Sequence, residues 1–241
     1  MSVGADTGVD LGADLGGDVA REVIAIDGPA ASGKSTVARN VAKQLGFLYV
    51  DSGALYRGVT WAALERGVVC TDSAGVLRCM AGCRFEFLVV DQAVTFTIDG
   101  VRPVGELRTE VVNRNVSPVA ATSEVRVQIV AWLREMLRFG ALVMEGRDIG
   151  TKVFPDTPYK FYLDAHPEER ARRRHGEIKT PVSVAEVGES LKRRDTIDSR
   201  RAVDPLKVAG DAQVIDSTGM SVAEVVRLIL ERIAARRPAA R

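Results

Sequence analysis

The stretch Gly28-Pro29-Ala30-Ala31-Ser32-Gly33-Lys34-Ser35, with Thr36 behind it, decides how this chain is read. Two glycines enclose four residues and are followed at once by Lys and Ser, the spacing of a loop that wraps phosphate. The glycines let the backbone turn so that successive amide N–H groups aim at phosphate oxygens. A helix starting at Lys34 adds the positive end of its dipole. Lys34 reaches the outer phosphates as a point charge, and the Ser35 hydroxyl is a ligand for Mg²⁺. An apolar β-rich run, Glu22–Ile26, precedes the loop. A helical pattern over Lys34–Leu45 follows it, with Val37, Val41 and Leu45 on one side. This context implies a nucleoside triphosphate with magnesium. It leaves open whether phosphate goes to water, to an alcohol or to another phosphate.

Outward from the loop, strand-like and helix-like segments alternate, which predicts an α/β fold with a parallel sheet flanked by helices. Phe47–Val50 reads as a second strand. Asp51-Ser52-Gly53 then opens a helix, with Ser52 the expected cap and Leu55, Val59, Ala62 and Ala63 on its apolar face. Arg84–Val90 and Ala93–Ile98 read as two antiparallel strands around Asp91-Gln92, a small β insert hung on the core. A long helix is predicted over about Ser123–Phe139, and Ala141–Glu145 and Tyr159–Leu163 return to core-strand character. Pro167 suits the first turn of a helix whose body, Glu168–Arg174, is almost wholly charged. Gly176–Pro181 breaks it, and Ser183 begins another helix that runs into the Arg/Asp-rich stretch near 194–201. Gln213–Asp216 is a last strand and Ser221–Ala235 a closing amphipathic helix, with a frayed tail after it.

Bulk properties narrow the class. The chain has 241 residues, 46% hydrophobic and 27% charged, with a formal net charge of +1, so a whole-surface nucleic-acid binder is not expected. No apolar run approaches the roughly 18–20 residues that span a bilayer. Residues 1–20 are rich in Gly, Ala and Asp without Lys or Arg, and read as a disordered acidic leader rather than a secretory signal. The odd set Cys70, Cys79 and Cys83 suggests reduced, space-filling thiols in a cytoplasm rather than a metal site.

The arginines carry the next step. Arg57, Arg147, Arg194 and Arg201 recur at segment ends that face the expected cleft. Such clamps suit transfer between two polyanions, because they suppress repulsion between donor and acceptor and screen the transferring group. An acceptor phosphate is already ionised at neutral pH and needs no general base. The guanine-reading sequence Asn-Lys-x-Asp is absent, which lowers a GTPase reading.

Asp51-Ser-Gly-Ala-Leu-Tyr-Arg57, Glu145-Gly-Arg-Asp-Ile-Gly-Thr151 with Val153-Phe-Pro-Asp156, and Arg201-Ala-Val-Asp-Pro205 stand in order behind the phosphate loop. Together they resemble bacterial-type cytidylate kinase over about Val23–Leu230. The resemblance implies transfer of the γ-phosphate of ATP to CMP or dCMP, with Mg²⁺. It implies a P-loop kinase core over 21–66 and 140–236, a lid near 168–182 and a nucleoside-monophosphate-binding insert over 67–139. Residue by residue, Ser52, Tyr56 and Arg57 would line the acceptor pocket, and Arg147 would hold the acceptor phosphate. Ser117, Arg126 and Asp148 would read the cytosine edge, and Arg194, Asp198 and Arg201 would bind the sugar and phosphate. Arg170, Arg173 and Arg174 would be lid groups closing on ATP. Lys34, Arg147 and Arg194 are the expected catalytic cations. A monomer that binds neither nucleic acid nor membrane is expected. The loop departs from the family by carrying Ala31-Ser32 where Gly-Ala is frequent, and little effect is expected because backbone amides do the binding.

Some readings compete. Glu145 either sits behind the magnesium ion or caps the next loop, and Ser117, before Pro118, either contacts the base or only makes a turn or cap. The run Glu168–Arg174 is a lid, a solvated helix face or an RNA patch, the last weakened by the lack of interleaved aromatics. Rival functions are a kinase of the same fold with another acceptor, such as UMP, AMP or a small alcohol, and a slow nucleotide-dependent switch that binds RNA.

Overall fold

The computed structural model describes residues 22–177 and 181–236. The acidic leader, part of the expected break at 176–181 and most of the expected frayed tail lie outside the described residues. The run after Glu22 forms β1 (Val23–Asp27), buried along its whole length, as a strand covered on both faces must be. It is followed by α1 (Lys34–Leu45), β2 (Leu48–Asp51) and α2 (Ser52–Glu65). Next come α3 (Ser73–Ala81), the hairpin β3 (Phe85–Val90) and β4 (Ala93–Ile98), then α4 (Glu110–Ala121) and α5 (Ser123–Glu135). The chain closes with β5 (Leu142–Gly146), β6 (Tyr159–Asp164), α6 (Pro167–Glu177), α7 (Val184–Arg200), β7 (Gln213–Asp216) and α8 (Val222–Arg236).

The strands make one sheet in the order β3-β4-β2-β5-β1-β6-β7. β1 lies between β5 and β6, parallel to both, with Asp27 opposite Gly146 on one side and Tyr162 on the other. The hairpin is antiparallel as expected, but it is not hung on the core: Tyr49 of β2 pairs in parallel with Ala93, so β4 continues the central sheet. Alternate residues of β1 divide between two cores. Ala25 joins Leu142, Met144 and residues of α2 and α5 on one face, and Ile24 and Ile26 join residues of α1 and α8 on the other. Cys70 and Cys79 are buried in the first of these cores.

Local departures have plain causes. The cap of α2 is Asp51 rather than Ser52: its carboxylate accepts from Ala54 N at 3.0 Å, which frees the Ser52 hydroxyl to donate to Glu145 O at 2.8 Å. The helix predicted to reach Phe139 ends at Glu135 and tightens into a 3₁₀ turn, Met136–Phe139. α6 passes through Gly176 and reaches Glu177. Ser117 lies inside α4, so it is neither a turn residue nor a cap.

Candidate active site

The carboxyl ends of β1, β2 and β5 open onto one cleft of about 340 Å³, where an α/β sheet of this kind binds its ligands. The phosphate loop leaves β1 with Gly28 at φ 150°, and a Cβ there would lie 2.1 Å from the Leu163 carbonyl oxygen, so only glycine fits. Gly33 enters α1 at φ 90°. Ala31 also takes a left-handed backbone, φ 58°, a conformation that suits glycine better than alanine. Residues 30–36 line the cleft, while Gly28 and Pro29 stand behind it. Lys34 crosses the loop, donating from Nζ to Pro29 O at 2.6 Å and to Ser32 Oγ at 3.3 Å. Burial first, and then the nearby Arg147, pull the Lys34 ammonium down to about 7.

Glu145, buried at the end of β5, accepts from Ser35 Oγ at 2.6 Å and from Tyr49 OH at 3.3 Å. It therefore faces the loop serine, which favours the first of its two readings. These hard oxygen donors beside the phosphate loop suit magnesium, which takes few protein ligands and completes its shell with phosphate and water. No group of three or more His, Cys, Asp or Glu that could hold a metal occurs among the described residues.

The rest of the cleft wall draws on several elements. Tyr56 and Arg57 of α2, Ser117 of α4, Arg147 and Asp148 after β5, and Arg194, Asp198 and Arg201 around the end of α7 all line the cleft. The spacing of four and then three residues along α7 puts its three groups on the cleft side, as the helical reading required. Asp198 anchors Arg147, which donates from Nε at 3.0 Å. Asp51 anchors Arg57, which donates from Nη2 at 2.7 Å. Burial, and next Arg147, lower Arg194 to about 10, the mark of cations crowded together. Asp51 is driven down because Arg57 and Arg108 outweigh its burial.

Two expected site residues sit just behind the surface. Ser52 holds the end of β5, and Arg126 is 1% exposed, with Nη2 on Asp148, Nε on Asp204 and Nη1 donating to Ala120 O at 3.3 Å. Burial pushes the Asp148 carboxyl up, with Arg126 and then Arg201 pulling against it.

Of the three expected lid arginines, only Arg174 lines the cleft. Arg170 is buried and donates to Ala30 O at 3.0 Å, to Ala165 O at 3.1 Å and to Asp195. Asp195 of α7 in turn accepts from Ala30 N at 3.0 Å. Arg173 donates to Ser217 O at 2.7 Å and Ser217 Oγ at 3.1 Å, and to Ser32 O at 3.5 Å. In this conformation Arg170 and Arg173 hold the back of the loop and fasten α6 to it.

Sequence reasoning missed several groups that matter here. Asp27, one residue before the loop, accepts from Gly150 N at 2.8 Å and Ile149 N at 2.9 Å, which ties the loop's base to the Arg147-Asp148 turn. Burial raises its carboxyl to about 7. An acid directly preceding the glycine was the available signal. Arg108, which lines the cleft near Asp51, and Asp195 had none, because their partners are distant in sequence.

Comparison with known proteins agrees with this geometry. The family described as cytidylate kinase matches residues 24–235. The chain belongs to the cytidylate kinase family. The cytidylate kinase of Shouchella clausii (strain KSM-K16) is 42% identical over 213 residues, 87% of this chain and 95% of the relative. That of Pelotomaculum thermopropionicum is 43% identical over 218 residues, 89% and 96% of the two chains. A solved structure of an uncharacterized protein from Eubacterium ventriosum shares the fold, with a TM-score of 0.51 at 13% identity, covering 90% of this family member and 100% of that chain. No helix among the described residues is long and apolar enough to cross a membrane.

Proposed function

We infer that the cleft carries out the reaction its family name describes: the chain is an ATP-dependent kinase that moves the γ-phosphate of ATP onto the phosphate of CMP or dCMP, giving ADP and CDP or dCDP. The crowding of Lys34, Arg57, Arg147, Arg194 and Arg201 around one cleft carries this reading. Burial first, and then mutual repulsion, lower Lys34 and Arg194; anions relieve that repulsion, and two nucleotides supply them.

In this mechanism the loop amides and Lys34 hold the ATP phosphates. Ser35 would hold magnesium, with Glu145 orienting its hydroxyl, and the ion would supply charge neutralisation at the ATP phosphates. Arg57 and Arg147, fixed by Asp51 and Asp198, hold the acceptor phosphate, and Arg194 spans donor and acceptor. The acceptor oxygen attacks already ionised, so no side chain has to remove a proton. Ser117 and Asp148 face the cytosine edge, with Arg126 behind Asp148 holding its carboxylate, so that a mixed set of donors and acceptors meets the amino group, ring nitrogen and carbonyl. Arg174 closes on ATP from α6, while Arg170 and Arg173 act by shaping the loop.

Release of ADP across a panel of nucleoside monophosphates and small alcohols, with and without magnesium, tests the reading. Fast release is expected with CMP and dCMP only, and only with magnesium. Preference for any other acceptor, or ADP formation indifferent to CMP, overturns it.

A further inference from the structure

Asp204 lies beyond the end of α7 with a left-handed backbone, φ 45°. A side chain in that conformation crowds the following carbonyl, and Pro205 restricts the residue before it further. Such strain persists where surrounding contacts over-determine it, often at functional sites. Three contacts do so here. Asp204 Oδ2 accepts from Arg126 Nε at 3.1 Å, Oδ1 lies 3.5 Å from Lys152 Nζ, and the main-chain oxygen accepts from Arg201 Nε at 2.6 Å. The two arginines come from different elements, α5 and the end of α7, yet both meet Asp148: Arg126 through Nη2, and Arg201 with Nη2 at 3.7 Å. Arg201 Nη2 is buried and donates to no partner. One strained residue thus holds two guanidinium groups by their Nε edges; the outer nitrogens of Arg126 go to Asp148 and Ala120 O, and Arg201, which lines the cleft, turns Nη2 toward Asp148.

We propose that Asp204 is the positioning residue for base selectivity. With both guanidinium planes pinned, the donors beside Asp148 form a fixed pattern. Cytosine offers an amino donor and a ring-nitrogen acceptor, whereas uracil presents the reverse pair. A free guanidinium swings to suit either base; a pinned one leaves the wrong base with facing donors or unpaired buried groups. The proposal rests on the CMP reading above.

The test compares kcat and KM for CMP and for UMP, at saturating ATP and magnesium, in the full-length chain and in Asp204→Gly and Asp204→Asn, with melting curves for each. Glycine accepts the backbone conformation and removes the carboxylate; asparagine tolerates it and keeps an oxygen without the charge. In Asp204→Gly, kcat/KM for CMP is expected to fall about 10- to 100-fold, mainly through KM. UMP use and the KM for ATP should stay within about threefold, and Asp204→Asn should recover part of the lost CMP/UMP ratio. A ratio unchanged in both variants overturns the proposal, as does an equal fall for both acceptors accompanied by a lower melting temperature. A wild-type chain without preference for CMP sinks the parent reading and this one together. A CMP-selective wild type whose ratio survives both substitutions sinks this one alone.

Discussion

The phosphate loop and the wall opposite it are built to meet anions by different means. The loop is a single run of chain, Gly28–Lys34, whose chemistry resides in main-chain amides, two glycines and one lysine. The opposite wall draws side chains from α2, α4, α5, the turn after β5 and the end of α7, and three of its cations are steadied by carboxylates: Arg57 by Asp51, Arg126 by Asp148 and Asp204, Arg147 by Asp198. A backbone cradle recognises phosphate and tolerates changes in its own side chains. A wall of paired charges can recognise a particular base and phosphate, and a paired member leaves a partner that suffers when it is lost.

Substitutions on the two sides should therefore differ in kind. The largest effect is expected for Lys34→Ala, which removes the one side chain the cradle depends on. Turnover should fall about 10³-fold with every acceptor, because the lost interaction serves the transferring phosphate and not the base. Steady-state kinetics with CMP and dCMP check this, and a variant that keeps turnover while losing selectivity would erase the contrast. Next is Arg126→Met, which keeps bulk in a buried position but removes the charge between Asp148 and Asp204. Discrimination of CMP from UMP should drop about 100-fold while the KM for ATP is little changed. An equal loss toward both acceptors would mean that this wall binds phosphate only.

The smallest effect sharpens the comparison from the loop side. Ala31→Gly relieves the left-handed strain at φ 58° without touching an amide. Thermal or denaturant unfolding should show a gain of up to about 1 kcal/mol, with ATP affinity unchanged. A marked loss of affinity would show that the methyl group, and not the backbone alone, shapes the cradle.

The same contrast explains what could be read before the structure was known. The loop, the strand before it and the helix after it were legible because all their determinants are adjacent in sequence. The hairpin's existence was legible too, from two β-rich runs and a turn. Its attachment to β2 was not, since a single parallel pairing, Tyr49 with Ala93, decides it. α3 and α4 escaped notice, the latter because Pro118 argued for a turn while the helix accommodates it in its last part. On the wall, Arg57, Arg147, Arg194 and Arg201 were legible from their places at segment ends, Arg126 could be named only through family resemblance, and Asp51 and Asp204 could not be named as their carboxylate partners. A salt bridge between residues as far apart as Arg126 and Asp204 leaves no local pattern. Nor could spacing along α6 show that Arg170 and Arg173 turn to the back of the loop; that follows from Asp195 reaching it from α7.

The central claim is that one cleft brings two nucleotides together, phosphate to phosphate. Calorimetric titration with a bisubstrate compound, adenosine and cytidine joined through a polyphosphate chain, tests it most directly. Occupying both walls at once should give an affinity at least about 100-fold above that of ATP or CMP alone, and Arg126→Met should abolish most of the gain. A joined compound that binds no more tightly than ATP would contradict the account.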